Sequence, residues 1–277
     1  MPEHTVWRFA RADLQRTPSV ESGWTVEQEE LDRAKACGLI YSAGRRLQVP
    51  QNTAATACVF LQRFFMRHTL QEFHHYDVAA TCLFVACKAE ESVRRLEAFV
   101  PVIAHCASKG RRRAAVGSAE YTKWRAVILR TEVAVLQALC FDVVVDQPHA
   151  RLAEVAAAEG LCRRAAQLAW GFVGDCLRLP LAVVFPARVV ACAAIVVAAR
   201  VAGGEPRDGW LERAGVARTD VAEAVQWLLE FYVREAHARM GGGASGSTGS
   251  EQGGAGSEQG GAPAEHGAAV GELPAAA

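Results

Sequence analysis

Ten consecutive uncharged residues, Val78 to Cys87 in VAATCLFVACKAEE, constrain this chain more than any other stretch. Apolar or small side chains occur all round a helix drawn through them. Such a helix has no face to offer to water and belongs in the middle of a bundle. A bilayer takes about 20 residues to cross, so this run is too short to span one. It stops abruptly at Lys88, Glu90 and Glu91. The buried rod therefore surfaces with fixed charges at its tip. A lysine in the last turn complements the helix dipole and needs no partner. A rigid tip carrying fixed charges also suits gripping another protein's backbone. Glu132 sits mid-helix in the apolar stretch VILRTEVAVLQAL, where a carboxylate either faces water or pairs. Lys88 and Glu132 can meet if their helices are neighbours.

The flanking sequence supplies the surrounding helices. Thr25 and Gln28 fit a capping box for a helix to about Ala43, which Gly44 and the arginine pair after it close. Pro50 suits the first turn of a helix reaching about His68. The buried helix starts near His74, an amphipathic helix covers 94–106, and a fifth covers 120–139. Phe141 to Asp146, FDVVVD, is the best strand candidate and reads as an extended linker. Helices then follow Pro148, cover about 161–177, cover FPARVVACAAIVVAAR, form briefly near Trp210, and run to about Met240 from Thr219 as N-cap. Ahead of Thr25, the residues Trp7, Phe9 and Leu14 lay an apolar edge on a neighbour, and Thr17-Pro18-Ser19 breaks the chain.

The plan repeats. Setting Val78 on Val189, an offset of 111, lays VAATCLFVAC over VVACAAIVVA, again apolar all round. This weak symmetry implies two copies of one helical module. Lys88 falls on Ala199, and no acidic pair follows in the second copy. The expected layout is a preamble over 1–24, a first module over 25–143, a second over 144–240 and a tail over 241–277. The tail holds 12 of the 24 glycines and repeats GSEQGGA in tandem. It contains too little apolar surface to offset the entropy of ordering, so it reads as disordered.

Composition excludes several functions. Four glutamates and no Lys or Arg lie from Gly241 onward, which leaves 30 basic against 26 acidic residues before it. That excess of four falls short of the dense basic face of a nucleic-acid binder. The nine cysteines include no C-x-x-C, and several lie in apolar runs, as reduced buried residues of an intracellular protein do. The N-terminal stretch lacks the apolar core of a signal peptide. No phosphate loop, kinase signature or G-x-S-x-G occurs, and Gly241-x-Gly243-x-x-Gly246 neither follows a strand nor opens a helix. His68, His74, His75 and His105 lack zinc-ligand spacing, so no metal and no cofactor is expected. Trp170, Phe172 and Trp227 read as core. Lys109, Arg111, Arg112 and Arg113 form one basic cluster, either a solvated loop or a nuclear-import or phosphate-binding patch.

Together, WRFARADLQRTPS, PQNTAATACVFLQRFF, TCLFVACKAEE, LRTEVAVLQALCFDVVVDQPH and AWGFVGDCL resemble a cyclin over nearly all of residues 6–239. The likeness is to transcriptional cyclins of the K and T type, and AWGFVGDCL with R-T-P-S leans toward cyclin K. The resemblance implies an all-α fold of two tandem five-helix cyclin boxes and no active site. It implies a nuclear subunit that binds and activates a cyclin-dependent kinase phosphorylating the RNA polymerase II C-terminal domain. Lys88 and Glu132 would grip the kinase's regulatory helix region, with Glu91 assisting and Phe141 adding an apolar contact. No direct nucleic-acid or membrane partner is expected. No segment resembles the M-R-A-I-L docking patch of cell-cycle cyclins. A DNA-binding initiation factor of the same fold is the alternative, but it would add a zinc ribbon and a basic face. A helical enzyme or scaffold unrelated to cyclins is the third reading.

Overall fold

The computed structural model describes residues 7–112, 114–203 and 206–241, with side chains to 237. Two predicted features, the disordered tail beyond Gly241 and the side chain of Arg113, lie outside the described residues. The described residues contain helices and no strand. A 3₁₀ turn, Arg11–Arg16, and a short helix α1, Pro18–Glu21, precede the first bundle. That bundle comprises α2 (Val26–Arg46), α3 (Gln51–Phe65), α4 (His75–Ala89), α5 (Leu96–Ala107) and α6 (Ala119–Ala138). The second comprises α7 (Pro148–Glu159), α8 (Arg163–Cys176), the short α9 (Leu181–Val184), α10 (Ala187–Ala202), the short α11 (Trp210–Arg213) and α12 (Arg218–Gly241). Among the described residues no helix is long and apolar enough to cross a membrane.

The charge-free run is the centre of the first bundle. All ten residues from Val78 to Cys87 are buried, and α4 packs against α2, α3 and α6. In the second bundle α10 takes the same place, against α7, α8 and α12. The predicted capping box is present: the Thr25 N–H donates to Gln28 Oε1 and the Gln28 N–H to Thr25 Oγ1, both at 3.1 Å. The segment Phe141–Asp146 forms no strand, in line with its reading as a linker.

Several predicted boundaries move for identifiable reasons. Gly44 does not close α2, which runs on to Arg46. A Cβ at Gly44 would meet the Val49 side chain at 3.2 Å, so glycine serves helix packing there rather than termination. Thr17-Pro18-Ser19 starts a helix instead of breaking the chain. Thr17 Oγ1 accepts from the Val20 N–H and Pro18 occupies the first turn. Thr219 lies inside α12, where its hydroxyl contacts Asp220. Trp7 and Leu14 are buried, as the apolar edge required. Trp227 is buried and donates to Glu30 at 2.6 Å. Trp170 donates to Gln51 Oε1 at 2.8 Å, tying α8 to the start of α3.

A buried ion pair fastens the preamble to the first bundle. Arg33 and Glu29 pair one turn apart on α2, with side chains 2% and 4% exposed. Arg33 also donates to the Phe65 carbonyl at 2.7 Å, and Thr17 Oγ1 donates to Glu29 at 2.6 Å. Burial lowers the Arg33 pKa and the Glu29 carboxylate opposes the shift. Each charge is acceptable in the interior only because the other is present.

Candidate partner-binding face

Helix α4 ends where its buried stretch runs out, and its last turn delivers Lys88 to the surface. Lys88 Nζ donates to Glu132 Oε1 on α6 at 2.6 Å. The lysine side chain is 46% exposed and the glutamate 17%. The pair is thus an open ion pair with its cation turned outward. Lys88 also stands over the Phe84 ring at 4.4 Å, an arrangement that orients the ammonium without consuming its donors. Beneath this pair, Glu90 Oε1 accepts from Thr56 Oγ1 at 2.7 Å, and Gln147 also donates to Thr56. The end of α4 is therefore pinned to α3 and to the start of α7.

The other two predicted residues come from the ends of the same helices. Glu91 follows the C-cap of α4, Glu90, is exposed, and takes φ +53°. Phe141 follows α6 and is 67% exposed. Cys140 and Phe141 both sit in the left-handed region, at φ +51° and +57°. Non-glycine residues pay about 1–2 kcal/mol each for that conformation. Two backbone bonds offset it, from the Cys140 N–H to Gln137 and from the Phe141 N–H to Leu136 at 2.9 Å. The turn throws the Phe141 ring into solvent. The structure thus brings Lys88 and Glu132 into contact. Glu91 lies past the end of α4, which is tied to Thr53 and Thr56 at the start of α3, and Phe141 lies past the end of α6, which is tied to Arg63 and Arg67 at the end of α3.

Sequence reasoning missed the support behind Phe141. Trp7 Nε1 donates to Asp142 Oδ2 at 2.9 Å, and Arg63 and Arg67 lie over the Trp7 ring at 4.9 and 4.6 Å. Arg63 donates to the Asp142 and Val144 carbonyls. Burial pushes its pKa down to about 10, with Asp142 opposing the shift, so it stays charged at neutral pH. Trp7 was visible as an apolar anchor; nothing in its spacing reveals that it holds the corner after α6. Leu129 and Val133, 37% and 57% exposed on α6 beside Glu132, were also missed, because they read as ordinary members of an apolar helix.

The basic cluster lies apart from this face. Lys109, Arg111 and Arg112 are exposed on the loop after α5, and Arg112 approaches Glu120 at 3.6 Å. Among the histidines, His68 stacks on Phe64 and His74 Nδ1 accepts from the Tyr76 N–H at 3.2 Å. Among the described residues no three metal-ligating side chains converge.

The family model described as "Cyclin, N-terminal domain" matches residues 7–144. Cyclin pch1 of Schizosaccharomyces pombe is 34% identical over 237 residues, spanning 82% of this chain and 68% of that protein. The chain belongs to the cyclin family. Within it, this cyclin is of the pch1 and cyclin T kind. Cyclin-T1-5 of Arabidopsis thaliana is 30% identical over 262 residues, covering 88% of this cyclin and 45% of that protein. The chain therefore spans about two thirds of pch1 and under half of Cyclin-T1-5. The yeast RNA polymerase II CTD kinase complex CTDK-1 contains a chain matching with TM-score 0.68 at 18% identity, over 82% of this cyclin and 73% of that chain. A chain of the yeast TFIIK complex of Kin28, Ccl1 and Tfb3 matches with TM-score 0.58 at 14% identity, over 82% and 96%. At those identities the likeness establishes the fold.

Proposed function

We propose that this cyclin is the regulatory subunit of a transcriptional cyclin-dependent kinase acting on the RNA polymerase II C-terminal domain. The observation that carries the reading is the Lys88–Glu132 pair, standing on the solvent face of a rigid, buried helix. A kinase works only when its strand lysine and regulatory-helix glutamate pair and its activation loop is ordered. The cyclin performs no chemistry. It holds that helix inward and shifts a population toward the working state. Lys88 and Glu132 bind the partner's backbone, Glu91 assists, and Phe141, Leu129 and Val133 supply apolar contact. The names of pch1, the T cyclins and the CTDK-1 and TFIIK complexes point the same way.

Finer assignments rest on the sequence. The two cyclin boxes span 25–143 and 144–240. AWGFVGDCL and R-T-P-S support kinship with cyclin K. A nuclear location follows from the transcriptional role, with the cluster Lys109 to Arg113 as its import signal or a phosphate patch. The native protein, isolated without denaturation, should carry a cyclin-dependent kinase active on C-terminal-domain repeats. Lys88→Ala with Glu132→Ala should abolish that activity and leave the melting temperature nearly unchanged. Isolation with no kinase bound would contradict the reading.

A further inference from the structure

The second bundle carries a counterpart of the Lys88–Glu132 face, and it is a groove. The offset that lays Val78 on Val189 puts Lys88 on Ala199. On the outer helices, buried Tyr121, Ile128 and Thr131 of α6 fall on buried Val221, Leu228 and Phe231 of α12 at a spacing of 100. Exposed Leu129 and Val133 then fall on exposed Leu229 and Val233, 43% and 55% accessible. Glu132 falls on Tyr232, whose hydroxyl turns inward to donate to Asp175 at 2.7 Å. Both members of the charged pair are thus absent from the second copy, while the outward apolar residues remain.

The space between α10 and α12 has a volume of about 1030 Å³. That is at the top of the range of about 300–1,000 Å³ for ligand pockets. Val196 and Ala199 from α10 and Val225, Leu229 and Val233 from α12 form its floor. Its rim is predominantly basic: Arg200, Arg207 and Arg218 border it against the carboxylates of Asp208 and Glu230, while Arg234 is held by Glu30. Among the described residues Arg200 and Arg207 form no ion pair, and Arg218 reaches only exposed Glu212, at 3.8 Å. The rim carboxylate of Glu230 is already engaged by Gln226 at 2.8 Å. The stretch of α12 from Arg218 to Val233 extends about 24 Å, the length of four helical turns.

We propose that this groove binds an amphipathic helix of a partner protein, with apolar side chains on Leu229 and Val233 and acidic ones against Arg200, Arg207 and Arg218. Helix-in-groove recognition needs an apolar trough about this long, read by anchors spaced three or four residues apart. The floor supplies contact energy, and the rim arginines, of which only Arg218 has an ion-pair partner among the described residues, set orientation and select for acid. The proposal is independent of the kinase reading, since none of these residues belongs to the first bundle and the test uses no kinase.

The test is selection of helix-forming peptides from a displayed library on the full-length cyclin. Recovered binders should carry apolar residues at i, i+3 or i+4, and i+7, flanked by Asp or Glu. In fluorescence anisotropy a labelled binder should lose about tenfold or more in affinity to Leu229→Asp/Val233→Asp. It should also lose affinity to Arg200→Glu/Arg207→Glu, which should instead favour a Lys-for-Glu version of the same peptide. All four residues border solvent, so circular dichroism should show both variants folded. No binders, basic or uncharged binders, or binders indifferent to these variants would overturn the proposal. So would displacement by a peptide of residues 242–277, which would make the chain's own tail the occupant. A dimer dissolved by Leu229→Asp/Val233→Asp would assign the groove to a second copy and overturn it equally.

Discussion

The two outward faces, one on α4 and α6 and the other on α10 and α12, are built on the same helix arrangement and end in different chemistry. The first closes with an open Lys88–Glu132 pair over Phe84. The second has Ala199 and an inward-turned Tyr232 at those places and opens into an arginine-rimmed apolar trough. A duplicated scaffold keeps its buried residues because packing demands them. Its surface charges are free to diverge, and there the copies have parted. Function is to be sought where the copies differ on the outside, not where they agree within.

The largest expected effect tests how far the first copy depends on buried charge. Arg33→Ala leaves Glu29 charged and unpaired in the interior and should cost about 3–5 kcal/mol in urea unfolding. Glu29→Gln added to it should restore part of the loss. The core comparison is sharpened at one matched position. Leu83 and Ala194 correspond at the offset of 111, and both are fully buried. Leu83→Ala should cost about 2–5 kcal/mol through the cavity it leaves. Ala194→Leu should cost about 1–3 kcal/mol through overpacking. Equal and negligible costs would mean that the two cores are not tightly packed counterparts.

The junction between the bundles adds a pH test. His149 is fully buried on α7 beside Trp170, and burial pushes its pKa down to about 4. The unfolded chain takes up this proton near pH 6.5 and the folded chain only near pH 4. Stability should therefore be fully present above pH 6.5 and be lost as pH falls toward 4, by at most about 3 kcal/mol from this group. His149→Gln should flatten that part of the stability profile, measured by denaturant midpoints across the interval. The smallest effect belongs to the surface pair: Lys88→Ala alone should change stability by no more than about 1 kcal/mol, because exposed pairs contribute little.

The uncharged ten-residue helix was legible because no other environment accepts it, and the Lys88–Glu132 contact followed from helix adjacency. The Thr25–Gln28 capping box was legible because its partners are local. Signals set by tertiary context were not. Gly44 reads as a stop, yet it is a close-packing site; Thr219 reads as a cap, yet it lies within a helix. The short α1 and α9 are too brief to show a period. The clasp of Trp7, Arg63 and Asp142 behind Phe141 joins residues more than 70 positions apart, beyond what any local pattern records. The groove was invisible for a similar reason: it arises from a space between α10 and α12, and a gap has no letters.

The central claim is that Lys88 and Glu132 face a partner rather than merely each other. Reversing both, Lys88→Glu with Glu132→Lys, keeps the internal ion pair while inverting what is presented outward. Kinase activation by this double variant is the direct measurement. The account predicts a folded cyclin of nearly unchanged melting temperature that no longer binds or activates its kinase. Recovery of activation by the reversed pair would show that the pair serves only to join α4 to α6, and would contradict it.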